Sequence, residues 1–313
     1  MQCRSSDAIG PGVSRLSWYA LSVLLAACAT PAVAQAVSTP TPIETRVTEA
    51  AQILESDGRF TGIVPPKSQE LVEFVAGNVL FALTHELGHA AITEMDLIVL
   101  GRVEDAADSF ATLLALKIGN AFSFGVLKNT AMGWFLNDER NRSQGVRLSF
   151  YDEHGLDQQR AYSIVCLMVG SDMQKFKALA DRLGMPVERQ QSCARDYDNA
   201  SRSWDKALEP QLRKPDTPET KISVIYAPSG ANVQIEQMFR HLRLLERVAE
   251  RASEQFAWGS EFSLEMHTCG APDAGWYPEV RKVVVCYELA SDFAQLYVAF
   301  AESQRPPAAY SWR

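Results

Sequence analysis

The 313-residue chain has no lysine- or arginine-rich run. Acidic residues outnumber basic ones, 38 to 30, which leaves a formal net charge of −8. A nucleic-acid partner, which asks for a clustered positive face, is excluded on that ground. Beyond the N-terminus no stretch reads as long and apolar enough to cross a membrane. Histidine is scarce, with five in all, and no C-x-x-C pair occurs, so a zinc site built from cysteines is not expected. No internal repeat is visible. What is present is apolar residue in quantity: 47% is enough for a sizeable core, in one large domain or two modest ones.

The first 34 residues have the pattern of an export signal. Arg4 and Arg15 supply the positive region, Leu16–Ala29 a short apolar stretch, and Ala32-Val33-Ala34 a small-residue cleavage site before Gln35. The apolar stretch is too short for a membrane anchor. Leu25-Ala26-Ala27-Cys28 offers a second route, cleavage before Cys28 and a lipid anchor on it, but the Ala-x-Ala site is the cleaner one. The expected location is the bacterial periplasm or the medium, with a lipoprotein as the alternative. Four cysteines then remain: Cys166, Cys193, Cys269 and Cys286. An even count in an exported chain points to disulfides. Three pairings are possible, and the pairs nearest in sequence, Cys166–Cys193 and Cys269–Cys286, are chosen.

Residues 35–42, rich in Pro, Ser and Thr, read as a disordered leader. A helical region is expected over 43–208. Leu71, Phe74, Val75, Val79, Ala82 and Leu83 mark a helix across 66–94. Further helices are expected at 102–117, 158–170, 171–183 and 193–208. Three prolines make 209–220 a linker or long loop. The pattern over 221–313 predicts a strand at 221–226, a helix at 233–255, strands at 261–268 and 281–287, and a last helix at 288–302. The two later strands, joined by the turn-rich connection Gly270-Ala-Pro-Asp-Ala-Gly-Trp-Tyr-Pro278, are expected to pair as a hairpin stapled by Cys269–Cys286. The segment is expected to complete the same domain, because a ligand helix alone offers no edge on which an extended peptide could lie.

The chemistry lies in His85-Glu86-Leu87-Gly88-His89. Histidines four apart share a helix face and converge on one point, where Zn²⁺ takes imidazole nitrogens at about 2.0–2.1 Å. Glu86, next to the first ligand, is placed to take a proton from a zinc-held water. A third ligand should follow on another element. Glu104 and Asp108 open the next helix four residues apart. Glu104 is assigned to the metal and Asp108 to the outer N–H of a ligand histidine, with Asp108 the alternative ligand. For an oxyanion donor the candidates are His154, Tyr151, Tyr162 and His267, and His154 is preferred.

These residues resemble a family of bacterial metallopeptidases catalogued as a domain of unknown function. The matching stretches are His85-Glu-Leu-Gly-His-Ala90, Leu100-Gly-Arg-Val-Glu-Asp-Ala-Ala-Asp108, Glu153-His-Gly-Leu-Asp-Gln-Gln-Arg160 and Cys166-Leu-Met-Val-Gly-Ser-Asp172. Cys269-Gly270 and Cys286-Tyr-Glu-Leu289 also fit, although in relatives that segment tends to precede the His-Glu helix. The resemblance implies a zincin-like fold in which Glu104 stands where a glutamate third ligand would. The expected fold is α+β: mainly helical, with a small sheet from the C-terminal third. The expected function is zinc-dependent hydrolysis of a peptide or protein substrate with one Zn²⁺ per chain. The alternative is an inactive zinc-binding structural or regulatory protein of the same fold.

Overall fold

A computed structural model describes residues 42–60 and 62–303. The predicted signal peptide, the lipid-anchor candidate Cys28 and all of the predicted leader except Pro42 lie outside the described residues.

Helix α1 (Ile43–Glu55) leads into α2 (Lys67–Glu94), the axis of the molecule. Buried side chains occupy every side of α2, among them Leu71, Val72, Phe74, Val75, Val79, Leu83 and Leu87. By length and composition α2 could cross a membrane, contrary to the sequence expectation, yet 78% of its apolar window is buried inside the protein. A helix enclosed by neighbours loses its polar face and comes to look like a membrane span. α3 (Val103–Ile118) packs on it and ends at Gly119, whose φ of 68° suits a left-handed cap. The two helices approach closely at Gly88, where a Cβ would stand 3.1 Å from the Phe110 ring and 3.3 Å from the Ala107 Cα. That approach brings Glu104 and Asp108 alongside the histidines of α2.

α4 (Ala121–Ser143) is absent from the sequence expectations. It contacts α2, α3, α5 and α10. Its buried positions therefore form no single stripe, and periodicity cannot find it. The signal that was available is its start, where Asn120 and Ser123 cap each other reciprocally. α5 (Asp157–Ser171), α6 (Met173–Arg182) and α7 (Val187–Leu208) surround a second core that includes Leu127, Phe135, Ile164, Met168 and Phe176. α7 starts at Val187, directly after Pro186, rather than at Cys193. The Cys166–Cys193 disulfide ties α5 to α7 across a Cα–Cα distance of 5.1 Å.

The 209–220 segment is a surface loop fastened to residues 255–257 by Arg213 N–H to the Gln255 carbonyl and Ala257 N–H to the Gln211 carbonyl. β1 (Ile222–Tyr226) follows. The single helix expected over 233–255 is two, α8 (Val233–Leu242) and α9 (Leu244–Gln255). Arg243 separates them at φ 55°, a left-handed conformation that ends a helix. Then come β2 (Phe262–His267), β3 (Ala274–Tyr277), β4 (Lys282–Cys286) and α10 (Tyr287–Ser303).

The sheet order is β1-β2-β4-β3. The expected hairpin between 261–268 and 281–287 does not form: β2 and β4 are parallel neighbours, with His267 opposite Cys286. The connection that looked like turns contains β3, which carries the chain back and pairs antiparallel with β4. Parallel pairing puts the C-terminal ends of β2 and β4 together, which is what lets Cys269 reach Cys286 (Cα–Cα 5.6 Å). Leu264, Met266, Val283 and Val285 join Phe74, Phe239 and Tyr287 in the main core. The described residues belong to one compact unit, with β3 and β4 against α2.

Candidate metal centre

His85 and His89 face the same way from α2, and their Nε2 atoms lie 3.0 Å apart. Glu104, in the first turn of α3, places Oε2 3.0 Å from His85 Nε2 and 3.3 Å from His89 Nε2. Three donor atoms thus form a triangle with sides of 3.0–3.3 Å. Bonds of about 2.05 Å in a tetrahedron put zinc ligands about 3.3 Å apart, so the triangle fits such a cation.

The outer nitrogen of His85 is committed. Nδ1 lies 2.8 Å from Asp108 Oδ1, which in the neutral ring directs the Nε2 lone pair at the triangle. Arg160 holds Asp108 in turn, with Nε 2.8 Å from Oδ2 and a terminal nitrogen 2.7 Å from Oδ1. The Arg160 guanidinium lies 3.9 Å over the Trp134 ring. The centre thus holds three carboxylates (Glu86, Glu104, Asp108) and one guanidinium, which is paired with Asp108, a charge excess suited to a divalent cation. In the metal-free protein burial works against a charged His85, but hydrogen bonds to Asp108 and Glu104 outweigh it and raise the ring to about 9. Burial also disfavours the Asp108 anion, yet His85 and Arg160 hold its carboxyl down at about 2. Glu104 is likewise held far below the usual carboxylate range: hydrogen bonds from His154, His85 and His89 overcome the effect of burial.

Glu86 stands beside the two histidines, with a carboxylate oxygen within 4.8 Å of their ring nitrogens, and it also reaches the sheet. Its Oε2 accepts the Trp276 backbone N–H at 2.9 Å. Burial lifts its carboxyl above the ordinary value, against the opposing charges of His85 and His89. β3 is tied to α2 twice more, by the Trp276 indole N–H to Thr93 Oγ1 at 2.9 Å and by Arg281, after the strand, to Glu94 at 2.5 Å. Cys286 N–H donates to the Asp273 carbonyl, which fixes the parity of the ladder. Asp273, Gly275 and Tyr277 therefore turn their backbone groups to β4, while Ala274 and Trp276 turn theirs to the free edge beside Glu86.

Of the oxyanion-donor candidates, only His154 is at the centre: its Nε2 lies 2.8 Å from Glu104 Oε2, with the side chain 39% exposed. That hydrogen bond raises its pKa, against burial. Tyr162 donates to the Leu183 carbonyl, His267 pairs with Glu265 on the sheet, and Tyr151 is 92% exposed on a loop. Arg160 and Trp276 belong to the centre although no sequence signal singled them out. Arg160 was in view only as the end of a matching stretch, and Trp276 only as part of a turn-rich connection. A cavity of about 570 Å³ is lined in part by Asp108 and Arg160. Cys269, Cys286 and Glu288 also cluster, but the sulfurs there are joined in a disulfide.

A family described as "Putative metallopeptidase" matches residues 45–208 and 227–311. The chain belongs to that family. The match takes in the residues of the triangle, Asp108, His154, Arg160 and the β2–β4 segment, and leaves out the 209–226 stretch containing β1. No curated protein and no solved structure matches the chain.

Proposed function

We propose that the protein is an exported zinc peptidase in which Glu86 is the general base and His85, His89 and Glu104 hold the metal. The observation that carries this reading is the flanking of one donor triangle by a raised carboxylate on one side and by a sheet edge on the same side. A bound Zn²⁺ supplies a Lewis acid that polarises the scissile carbonyl and acidifies water. The chain's own residues do the rest. The outward carbonyls of Ala274 and Trp276 receive N–H groups of an extended substrate laid along β3. Glu86 takes the proton from the attacking water, holds it in a half-buried pocket that favours the protonated form, and releases it to the departing nitrogen. His154, at the opposite lip, donates to the oxygen on which negative charge develops. Asp108, clamped by Arg160, keeps His85 in the tautomer that presents Nε2.

Two disulfides fit an oxidising compartment, and with the N-terminal pattern they support export to the periplasm or beyond. The test is metal analysis of the purified protein, with peptide-library cleavage by the wild type and by Glu86→Gln. One zinc per chain in both, with cleavage lost only in the variant, is the expected result. Cleavage by Glu86→Gln at the wild-type rate overturns the mechanism. A zinc-loaded wild type that cleaves nothing supports the inactive zinc-binding alternative.

A further inference from the structure

The donor triangle has two walls. β3 is one, reached through Glu86 and Trp276; the chain between α4 and α5 is the other, reached through Glu104 and His154. This second wall carries apolar side chains that the fold does not use. Among the described residues the four most exposed large hydrophobic side chains are Leu100 (96%), Tyr151 (92%), Ile98 (87%) and Phe150 (80%). The next, Val64, is at 61%. All four lie on two loops, 95–102 between α2 and α3, and 144–156 between α4 and α5. The first runs from the helix of His89 to that of Glu104, and the second bears His154. The loops touch, for a Cβ on Gly155 would stand 3.4 Å from the Arg102 guanidinium. Val103, Val146 and Leu148 add further exposed apolar surface next to the four.

Single exposed hydrophobic residues are ordinary on a protein surface. Here the extremes of the whole described chain are gathered on the two loops that flank one centre, and among the described residues they stay 80–96% exposed. We infer that Ile98, Leu100, Phe150 and Tyr151 form a receiving surface for extended, apolar polypeptide segments, so that unfolded chains are selected over folded ones. The inference rests on the peptidase reading above. Two observations favour a polypeptide as the occupant. The loops adjoin the centre, one through His154 on Glu104 and the other through its contact with the first at Gly155, so a chain laid on β3 that crosses Glu86 and continues past His154 runs onto them. The loops also carry three carboxylates (Asp96, Asp152, Glu153) against two arginines (Arg102, Arg147), which does not suit an anionic bilayer.

The test replaces all four side chains (Ile98→Ser, Leu100→Ser, Phe150→Ser, Tyr151→Ser). Because they are solvent-facing, the variant should fold and keep its zinc content. Binding is read by fluorescence anisotropy in the zinc-loaded Glu86→Gln protein, with and without the four substitutions. The probe is a labelled protein kept unfolded by reduction and carboxymethylation, beside its native form. The expected result is an affinity for the unfolded probe at least tenfold weaker in the substituted protein, and no measurable binding of the native form by either. Equal affinity for the unfolded probe overturns the inference. So does equal affinity accompanied by lost sedimentation with phosphatidylglycerol vesicles, or by conversion of a dimer to a monomer; these outcomes assign the surface to a membrane or to a second copy. Because binding is measured without turnover, failure of the peptidase reading shows separately, as a wild type that cleaves neither form.

Discussion

Asp108 and Arg160 form a bidentate pair in which each side chain is 10% exposed, and the same Asp108 oxygen that meets Arg160 also meets His85 Nδ1. Arg160→Leu leaves a buried carboxylate with one donor. Breaking such a pair from one side costs about 3–5 kcal/mol. The lost stacking on Trp134 adds about 0.5–2 kcal/mol. For a domain stable by about 5–15 kcal/mol this is a large share. Asp108→Asn strands the guanidinium instead and should cost about 3–5 kcal/mol as well. With both changes neither charge is stranded, so the double variant should be more stable than the sum of the single losses predicts, by about 2–3 kcal/mol. Urea denaturation of the metal-free proteins measures all three. Chelator competition supplies a second readout: Asp108→Asn should weaken zinc binding about 10–100-fold, because it removes the partner of His85. Arg160→Leu, which leaves that partner in place, should weaken zinc binding less. Losses that add to within about 0.5 kcal/mol would show that the two residues do not act as a unit, and the account of the clamp would fall.

Four further outcomes are expected. His85 in the metal-free protein is raised to about 9 from an ordinary 6.5, so zinc binding at pH 7 should displace close to one proton from it, and affinity should climb with pH up to about 9; calorimetry in buffers of different ionisation enthalpy reads the proton. The same shift stabilises the metal-free fold fully below about pH 6.5 and is lost as pH rises through 9, so Tm of the chelated protein should fall over that window. Gly88→Ala puts a Cβ 3.1 Å from Phe110 and should cost about 1–3 kcal/mol; because it wedges α3 away from α2, it should also weaken zinc binding, and unchanged affinity would mean that the helix contact does not set the triangle. His154→Ala should lower kcat about 10²–10³-fold while zinc stays bound; loss of the metal instead would make His154 a support for Glu104 rather than the oxyanion donor.

The sequence determined the chemistry that depends on local spacing. His85, Glu86 and His89 occupy consecutive turns of one helix, and Glu104 and Asp108 share a face of the next, so their relative directions follow from 3.6 residues per turn alone. The cysteine pairs were within reach for the same reason, each closing a short stretch of chain. Tertiary structure decided whatever depends on elements distant in sequence. α4 has no stripe to read because several neighbours divide its surface. α8 and α9 look like one helix until Arg243 takes a left-handed conformation. β3 hides in a connection, and only its pairing with β4 makes Trp276 an outward edge residue that reaches Glu86 across 190 positions. Arg160 reaches Asp108 across 52. A periodic pattern specifies which side chains share a face, but which face of one element meets another is set by burial across the whole chain, and that is why the candidate metal ligands could be read from the sequence while the contact of Trp276 with Glu86 could not.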